Sequence, residues 1–152
     1  MNIREATTGD LEKLEYFQEL MVTSDREFDD SLVKEEKIVY YDIQKLLASD
    51  LVKFLVVEEN SKIVGTGFGQ IQENSPWSIN KKRGFIGLVF IEKAYRGRGL
   101  SKQVVMKLLD WFRERQIKEV RLDTYATNTT ALHVYEQCGF APYEVVMRCV
   151  LK

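Results

Sequence analysis

The sequence predicts an α/β (α+β) fold, a mixed and mostly antiparallel sheet flanked by helices, in one domain over residues 1–152. Three observations predict it. Two β-rich runs, residues 54–58 and 63–72, are joined by Asn60-Ser61 as a hairpin. The continuous apolar run Phe85-Ile86-Gly87-Leu88-Val89-Phe90-Ile91 reads as a strand covered on both faces, and it leads into an amphipathic helix. A further strand, residues 120–124, precedes another helix. With 152 residues and 45% hydrophobic content, the chain can bury one sound core.

The elements follow in order. Residues 3–6 read as a short strand. A helix runs from Asp10 to about Thr23, with Leu11, Leu14, Phe17, Leu20 and Met21 toward the core, and Thr7-x-x-Asp10 resembles a capping box. Residues 24–31 are acidic and expected to be irregular, and a second helix is expected over much of residues 33–48. Gly65, Gly67 and Gly69 fall on one face of the second hairpin strand, so another element or a bound substrate must approach that face closely. Residues 73–82 hold Ser75-Pro76-Trp77 and suit an exposed connection, with Lys81-Lys82-Arg83 as a solvated basic run. Leu100, Val104, Val105, Leu108, Leu109 and Phe112 recur at helical spacing. Residues 143–151 are expected to end the sheet as a strand.

Charge and composition exclude several classes. A net charge of −1 gives no overall attraction to nucleic acid or to an anionic membrane. No apolar run approaches the length of a spanning helix, and Met1-Asn2-Ile3-Arg4-Glu5 opens into the fold without a signal peptide, so a soluble cytoplasmic protein is expected. Cys138 and Cys149 lack metal-ligand spacing and are expected as free thiols, with no metal site.

The chemistry is concentrated where the apolar strand gives way to its helix, at Arg96-Gly97-Arg98-Gly99-Leu100-Ser101. Gly97 and Gly99 allow the backbone to turn with positive φ, and the free N–H groups of the first helical turn make an anion site to which Arg96 and Arg98 add charge. A nucleoside triphosphate loop would need Lys and then Ser or Thr after its second Gly, which Leu100-Ser101 does not supply. A dinucleotide fingerprint would need a third Gly where Lys102 stands, which disfavours a nicotinamide-dependent oxidoreductase.

The second block is Asn128-Thr129-Thr130-Ala131-Leu132-His133-Val134-Tyr135-Glu136-Gln137-Cys138-Gly139-Phe140. Asn128 suits a helix N-cap and Gly139 a left-handed stop. Asn128, Ala131, Leu132 and Tyr135 share one face, where the small Ala131 leaves room for a ligand beside the phenol. His133 lies on a different face and reads as a surface residue.

Together these blocks resemble the GNAT superfamily, the general-control-related N-acetyltransferases, over nearly the whole chain. The family's acetyl-CoA signature, Arg or Gln followed by x-x-Gly-x-Gly/Ala, is similar to Arg96 through Ser101, with Ser101 in place of the usual Gly or Ala. Its Asn-x-x-Ala-x-x-x-Tyr-Glu-x-x-Gly-Phe pattern is matched at full spacing by Asn128, Ala131, Tyr135, Glu136, Gly139 and Phe140.

The resemblance implies an acetyl-CoA-dependent N-acetyltransferase that moves an acetyl group to a primary amine by direct attack in a ternary complex. It implies that the strand around Val89 and Ile91 presents backbone groups to pantetheine, that the Ile91 N–H meets the thioester oxygen, and that the amides of Arg96, Gly97, Arg98, Gly99, Leu100 and Ser101 hold the pyrophosphate. Tyr135 is the implied general acid, since a phenol keeps its proton at neutral pH and can give it to a departing thiolate. Asn128 binds the pantetheine amide, caps its helix, or does both.

The base is open between Glu92, Asp123 and water, because the strand before the loop carries no carboxylate between Arg83 and Ile91. That gap supports the alternative of a non-catalytic CoA-binding sensor. Asp25, Glu27, Asp29 and Asp30, near Phe28, Tyr40 and Tyr41 in sequence, suit a cationic amine acceptor or a solvated loop. Members of the superfamily often pair through C-terminal strands, so Trp111, Phe112, Val145, Val146 and Met147 are candidates for a homodimer contact as well as for the core.

Overall fold

The computed structural model describes residues 1–152. Its centre is a five-stranded sheet in the order β1-β2-β3-β4-β5, with β1 Asn2–Glu5, β2 Val52–Glu59, β3 Lys62–Glu73, β4 Lys82–Ile91 and β5 Val120–Arg121. The first four strands are antiparallel to their neighbours, and β5 is parallel to β4. The β2–β3 hairpin turns on Asn60 and Ser61 at φ of 51° and 62°, the left-handed pair a two-residue hairpin loop requires.

Four helices cover the sheet: α1 Leu11–Phe28, α2 Ile43–Ala48, α3 Leu100–Glu114 and α4 Thr129–Gln137. On one face Leu14 and Phe17 of α1 and Ile43 of α2 pack against Phe54, Val56, Phe68, Leu88 and Phe90. On the other, Leu100, Val104, Val105, Leu108, Trp111 and Phe112 of α3 pack against Leu55, Val57, Val64, Ile71, Ile86 and Ile91. Side chains alternating along β2 and β4 thus serve two cores, which explains why β4 reads as an unbroken apolar run. None of the helices is long and apolar enough to cross a membrane.

The glycine face of β3 is filled by protein. A Cβ on Gly67 would meet Val104 Cγ1 at 2.7 Å, and one on Gly69 would meet Phe112 Cζ at 2.8 Å. These glycines let α3 lie close on the sheet, and no room for substrate remains there.

Several expected boundaries are corrected. Residues 24–28 continue α1 rather than forming an irregular loop: the face that buries Leu14, Gln18 and Val22 runs on to the half-buried Asp25, and only Glu27 of these residues is fully exposed. The second helix covers only Ile43–Ala48. Residues 33–42 are irregular, and the buried Gln18 fixes them, its Oε1 accepting the N–H groups of Tyr40 and Tyr41 at 3.1 and 2.8 Å. Residues 143–151 form no strand and stay exposed, with Val146 93% and Met147 90% accessible. Trp111 and Phe112 belong to the core, which removes them from the candidates for a dimer surface.

Candidate active site at the parting of two strands

Only Gly84↔Val120 and Phe85↔Arg121 join β4 to β5. Beyond that point β4 runs on to Ile91 while residues 122–128 leave the sheet, so the outer edge of β4 faces a cleft. Opposite this edge the β3–β4 register breaks: Thr66 pairs with Phe90 and Phe68 with Gly87, leaving Leu88 and Val89 across from Gly67 alone. Leu88 takes up the extra residue at φ 50°, an unfavourable conformation for a branched side chain, and its full burial holds it there. No feature of the sequence signals this bulge.

At the end of β4 the Glu92 N–H donates to the Val64 carbonyl at 2.8 Å. By the alternation of the ladder, Ile91 then turns its N–H and C=O away from β3 and toward the cleft. Arg96 Nε donates to that Ile91 carbonyl at 2.9 Å, and its guanidinium lies 5.5 Å from the Phe90 ring centre. Val89 is half-buried, packed toward α3.

The glycine corner has the geometry expected of an anion cradle. Gly97 and Gly99 adopt φ of 76° and 73°, and no atom lies within 4 Å of where a Cβ would stand on either. The first intrahelical bond of α3 runs from the Gln103 N–H to the Gly99 carbonyl at 3.1 Å, which leaves the amides of Leu100, Ser101 and Lys102 without an α-helical acceptor. They point out of the positive end of a 15-residue helix. Arg98 contributes less charge than the sequence implied, because its guanidinium is paired in two places with Glu59, at 2.7 and 3.1 Å. Leu100 sends its side chain into the core, so only its backbone faces the corner.

Across the cleft, Asn128 caps α4: its Oδ1 accepts the Ala131 N–H at 3.1 Å. Gly139 ends the helix at φ 96°. Tyr135 is half-buried and meets Phe140 edge-on at 6.2 Å. Burial pushes its phenol up to about 12, so it holds its proton throughout the neutral range. His133 is exposed and touches Gln137 at 2.9 Å.

Of the candidate bases, Glu92 is committed elsewhere. Burial alone would raise its pKa, but hydrogen bonds from Lys13 at 2.7 Å and Lys62 at 3.2 Å outweigh that and hold the carboxyl below its usual range. A carboxylate so stabilised is a poor proton acceptor. Asp123 is exposed beyond the end of β5. No three of the His, Cys, Asp and Glu side chains gather as ligands for a metal ion.

Some of the acidic and aromatic side chains between Asp25 and Tyr41 come together, with one addition. Tyr125, in the segment after β5, donates its hydroxyl to Asp29 Oδ2 at 3.1 Å and stacks on Phe28 at 6.0 Å. Asp25 faces the Tyr40 hydroxyl, and burial raises its carboxyl pKa. Tyr41 packs edge-on against Phe68 at 5.0 Å. Tyr125 was missed because its partners are nearly a hundred residues away in sequence; the only local signal was its place just past a predicted strand. Glu27 remains exposed and takes no part.

Comparison with known proteins identifies the family and the fold. The model of the acetyltransferase (GNAT) family matches residues 14–140. An uncharacterized N-acetyltransferase of Methanocaldococcus jannaschii is 30% identical over 145 residues, 95% of this chain and 62% of that protein. The N-alpha-acetyltransferase 30 of Saccharomyces cerevisiae is 35% identical over 69 residues, 45% of this chain and 39% of the relative. The chain therefore spans less than two thirds of the length of these curated relatives. Among solved structures, a predicted acetyltransferase of Clostridium acetobutylicum crystallised with acetyl-CoA superposes with a TM-score of 0.75 at 21% identity, covering 98% of this chain and 95% of that one. A mutant protein of Bacillus halodurans does so with a TM-score of 0.84 at 19% identity, over the full length of both chains.

Proposed function

We propose, from the premise that this chain belongs to the acetyltransferase (GNAT) family, that it transfers an acetyl group from acetyl-CoA to a primary amine. The observation that carries the reading is the pairing of an open β4 edge with the Gly97–Gly99 corner at one end of the same cleft. An extended pantetheine-like arm can add to a strand edge through backbone hydrogen bonds, while a pyrophosphate takes free amides at a helix N-terminus. The space over both glycines fits such a group. When bound, acetyl-CoA supplies the activated acyl group.

The chain's own residues would do the rest. The Ile91 N–H, directed into the cleft, stands ready as a donor for a thioester oxygen. Amides of residues 97–101 hold the pyrophosphate, with Arg96 adding charge at the near end. Tyr135 keeps a proton to give to the leaving thiolate, and its high pKa makes position rather than acidity decide its usefulness. With Glu92 held by two lysines, the proton of the attacking amine leaves through water, reaching Asp123 or solvent.

Counting released thiol as the protein is offered acetyl-CoA and a panel of amines tests the reading. Amine-dependent release supports transfer. Tight acetyl-CoA binding with no release for any amine would favour a CoA-binding sensor, a reading that the missing β4 carboxylate supports.

A further inference from the structure

Arg83 and Arg121 are neighbours on the sheet face that carries α1 and α2. The register pairs Phe85 with Arg121, and Phe85 packs with Phe68 and Tyr41 on that face. Arg121 therefore shares the face, as does Arg83, two residues before Phe85. Phe85↔Arg121 is also the last pair before β4 and β5 part. The two guanidinium groups lie at the lip of the cleft, on the side away from α3.

Both are poorly paired for partly buried cations. Arg83 Nη1 donates to Asn74 Oδ1 at 3.3 Å and Arg121 Nη2 to Glu119 Oε1 at 3.4 Å, each long for a charge-assisted bond. The Nε–H of each is buried and has no acceptor, and these are the only buried side-chain polar atoms left without a partner. Arg4 and Arg98 show the contrast, since both meet carboxylate oxygens at 2.7 to 3.1 Å.

A buried donor without an acceptor costs stability, and like charges set diagonally on one sheet face repel. Neither feature serves the fold. Glu119 is the one carboxylate that pairs with either arginine, and it shares its Oε1 with Asn74 Nδ2 at 3.4 Å. Two guanidinium groups against one carboxylate leave a single positive charge unbalanced, which suits a monoanion. Arg83 Nη2 and Arg121 Nη1 make no hydrogen bond, and the Arg121 side chain is 29% exposed, so an oxyanion can arrive from solvent. The Tyr143 ring backs the Arg121 guanidinium at 4.8 Å and leaves its edge for a planar ligand.

We propose that Arg83 and Arg121 form a carboxylate-binding site at the lip of the cleft, at the opposite end of β4 from the glycine corner. The forked donors of the two side chains match the two oxygens of a carboxylate. Ile91 lies six residues beyond Phe85, about 20 Å along an extended strand. A free amino acid cannot bridge that distance with its own amine and carboxylate. The carboxylate arrives at the far end of an extended acceptor of about six residues, or on a separate small acid. The first source rests on the acetyl transfer proposed above; the site itself does not.

The arginine Nε–H NMR signals read the site directly. With sodium acetate as the probe, the Arg83 and Arg121 signals are expected to move saturably, and sodium chloride at the same ionic strength is expected to produce no such saturation. Arg83→Gln should weaken the acetate response at Arg121 at least about fivefold, since both donors share one ligand. Arg121→Lys, which keeps the charge and loses the fork, should melt as the wild type does and weaken the response at Arg83. Equal, unsaturable drift with both salts, or an acetate response at Arg121 that survives Arg83→Gln unchanged, would overturn the site.

Kinetics separates the two sources. A Ser/Gly hexapeptide with a free C-terminal carboxylate is compared with the same peptide amidated. A KM about tenfold lower for the acid, lost in Arg121→Lys, places the carboxylate on the acceptor. Equal KM values with the acetate response intact place it on a separate acid and support the site. Amine-dependent thiol release without an acetate response leaves acetyl transfer standing and overturns the site. An acetate response without thiol release for any amine keeps the site and removes the transfer reading.

Discussion

Arg96 Nε donates to the Ile91 carbonyl at 2.9 Å, tying the first arginine of the glycine corner to the last residue of β4. The two parts of the proposed cofactor site, strand edge and helix N-terminus, are thereby fixed to each other. The guanidinium also rests near the buried Phe90 ring, so its position comes from packing as well as from the hydrogen bond. Replacing Arg96 with Met should weaken acetyl-CoA binding about tenfold, as expected for losing one charge-assisted contact, while lowering stability by about 1 kcal/mol. Calorimetry and thermal melting read the two effects separately; unchanged affinity would show that Arg96 serves the fold alone.

Tyr135→Phe removes a hydroxyl and little volume. Its expected effect is a loss of about a hundredfold or more in turnover, the scale of a missing general acid, with acetyl-CoA affinity held within about twofold. Because the phenol is needed in its protonated form and titrates only near 12, no fall in rate on the alkaline side below about pH 10 should trace to it. A stopped assay across pH 6 to about 10 with both proteins checks this. Equal turnover would reduce Tyr135 to a packing partner of Phe140.

Gly69 lies under the ring of Phe112, with its missing Cβ position 2.8 Å from Cζ and 3.0 Å from Cε2. Gly69→Ala should therefore destabilise the protein by about 1–3 kcal/mol through overpacking, with no positive φ involved. A urea melt of the variant measures it, and a neutral result would mean that α3 can lift from the sheet without cost.

Asp10 closes the turn before α1. It accepts the Thr7 N–H at 2.8 Å and pairs through both oxygens with Arg4, at 2.9 and 3.1 Å, while Arg4 also reaches Glu58 at 2.7 Å. The hydrogen bonds from Arg4 outweigh desolvation and lower its folded pKa. Its contribution is therefore complete above the unfolded value, near about 4, and is lost as pH falls through the lower folded value. Asp10→Asn should cost about 2 kcal/mol at pH 7, and the difference from wild type should shrink as pH drops below about 4. Urea melts at several pH values test the sign.

Much of this arrangement was legible in the chain because local chemistry and tertiary role coincide. Gly97, Gly99, Asn128 and Gly139 were readable since each does in the fold what its own backbone or side chain favours. The hairpin at Asn60-Ser61 and the apolar β4 were readable for the same reason. The misread parts are those that tertiary contacts decide. Residues 33–42 have helix-forming composition, yet Gln18 takes their amides at Tyr40 and Tyr41 and holds them irregular. The Leu88 bulge depends on packing that no local pattern reveals. Arg98 and Glu92 carried the expected charges, but partners far away in sequence, Glu59, Lys13 and Lys62, had already claimed them.

The central claim is that the Gly97–Gly99 corner and the open edge of β4 bind acetyl-CoA. Titrating the protein with acetyl-CoA by calorimetry, beside NAD and beside a Gly99→Val variant, tests it most directly. The account predicts one saturable site for acetyl-CoA, none for NAD, and a Gly99→Val protein that melts cooperatively yet binds at least about tenfold more weakly, because a branched side chain disfavours φ of 73° and fills the space above the amides. Folded wild-type protein that binds no acetyl-CoA, or a Gly99→Val protein that binds it equally well, would contradict it.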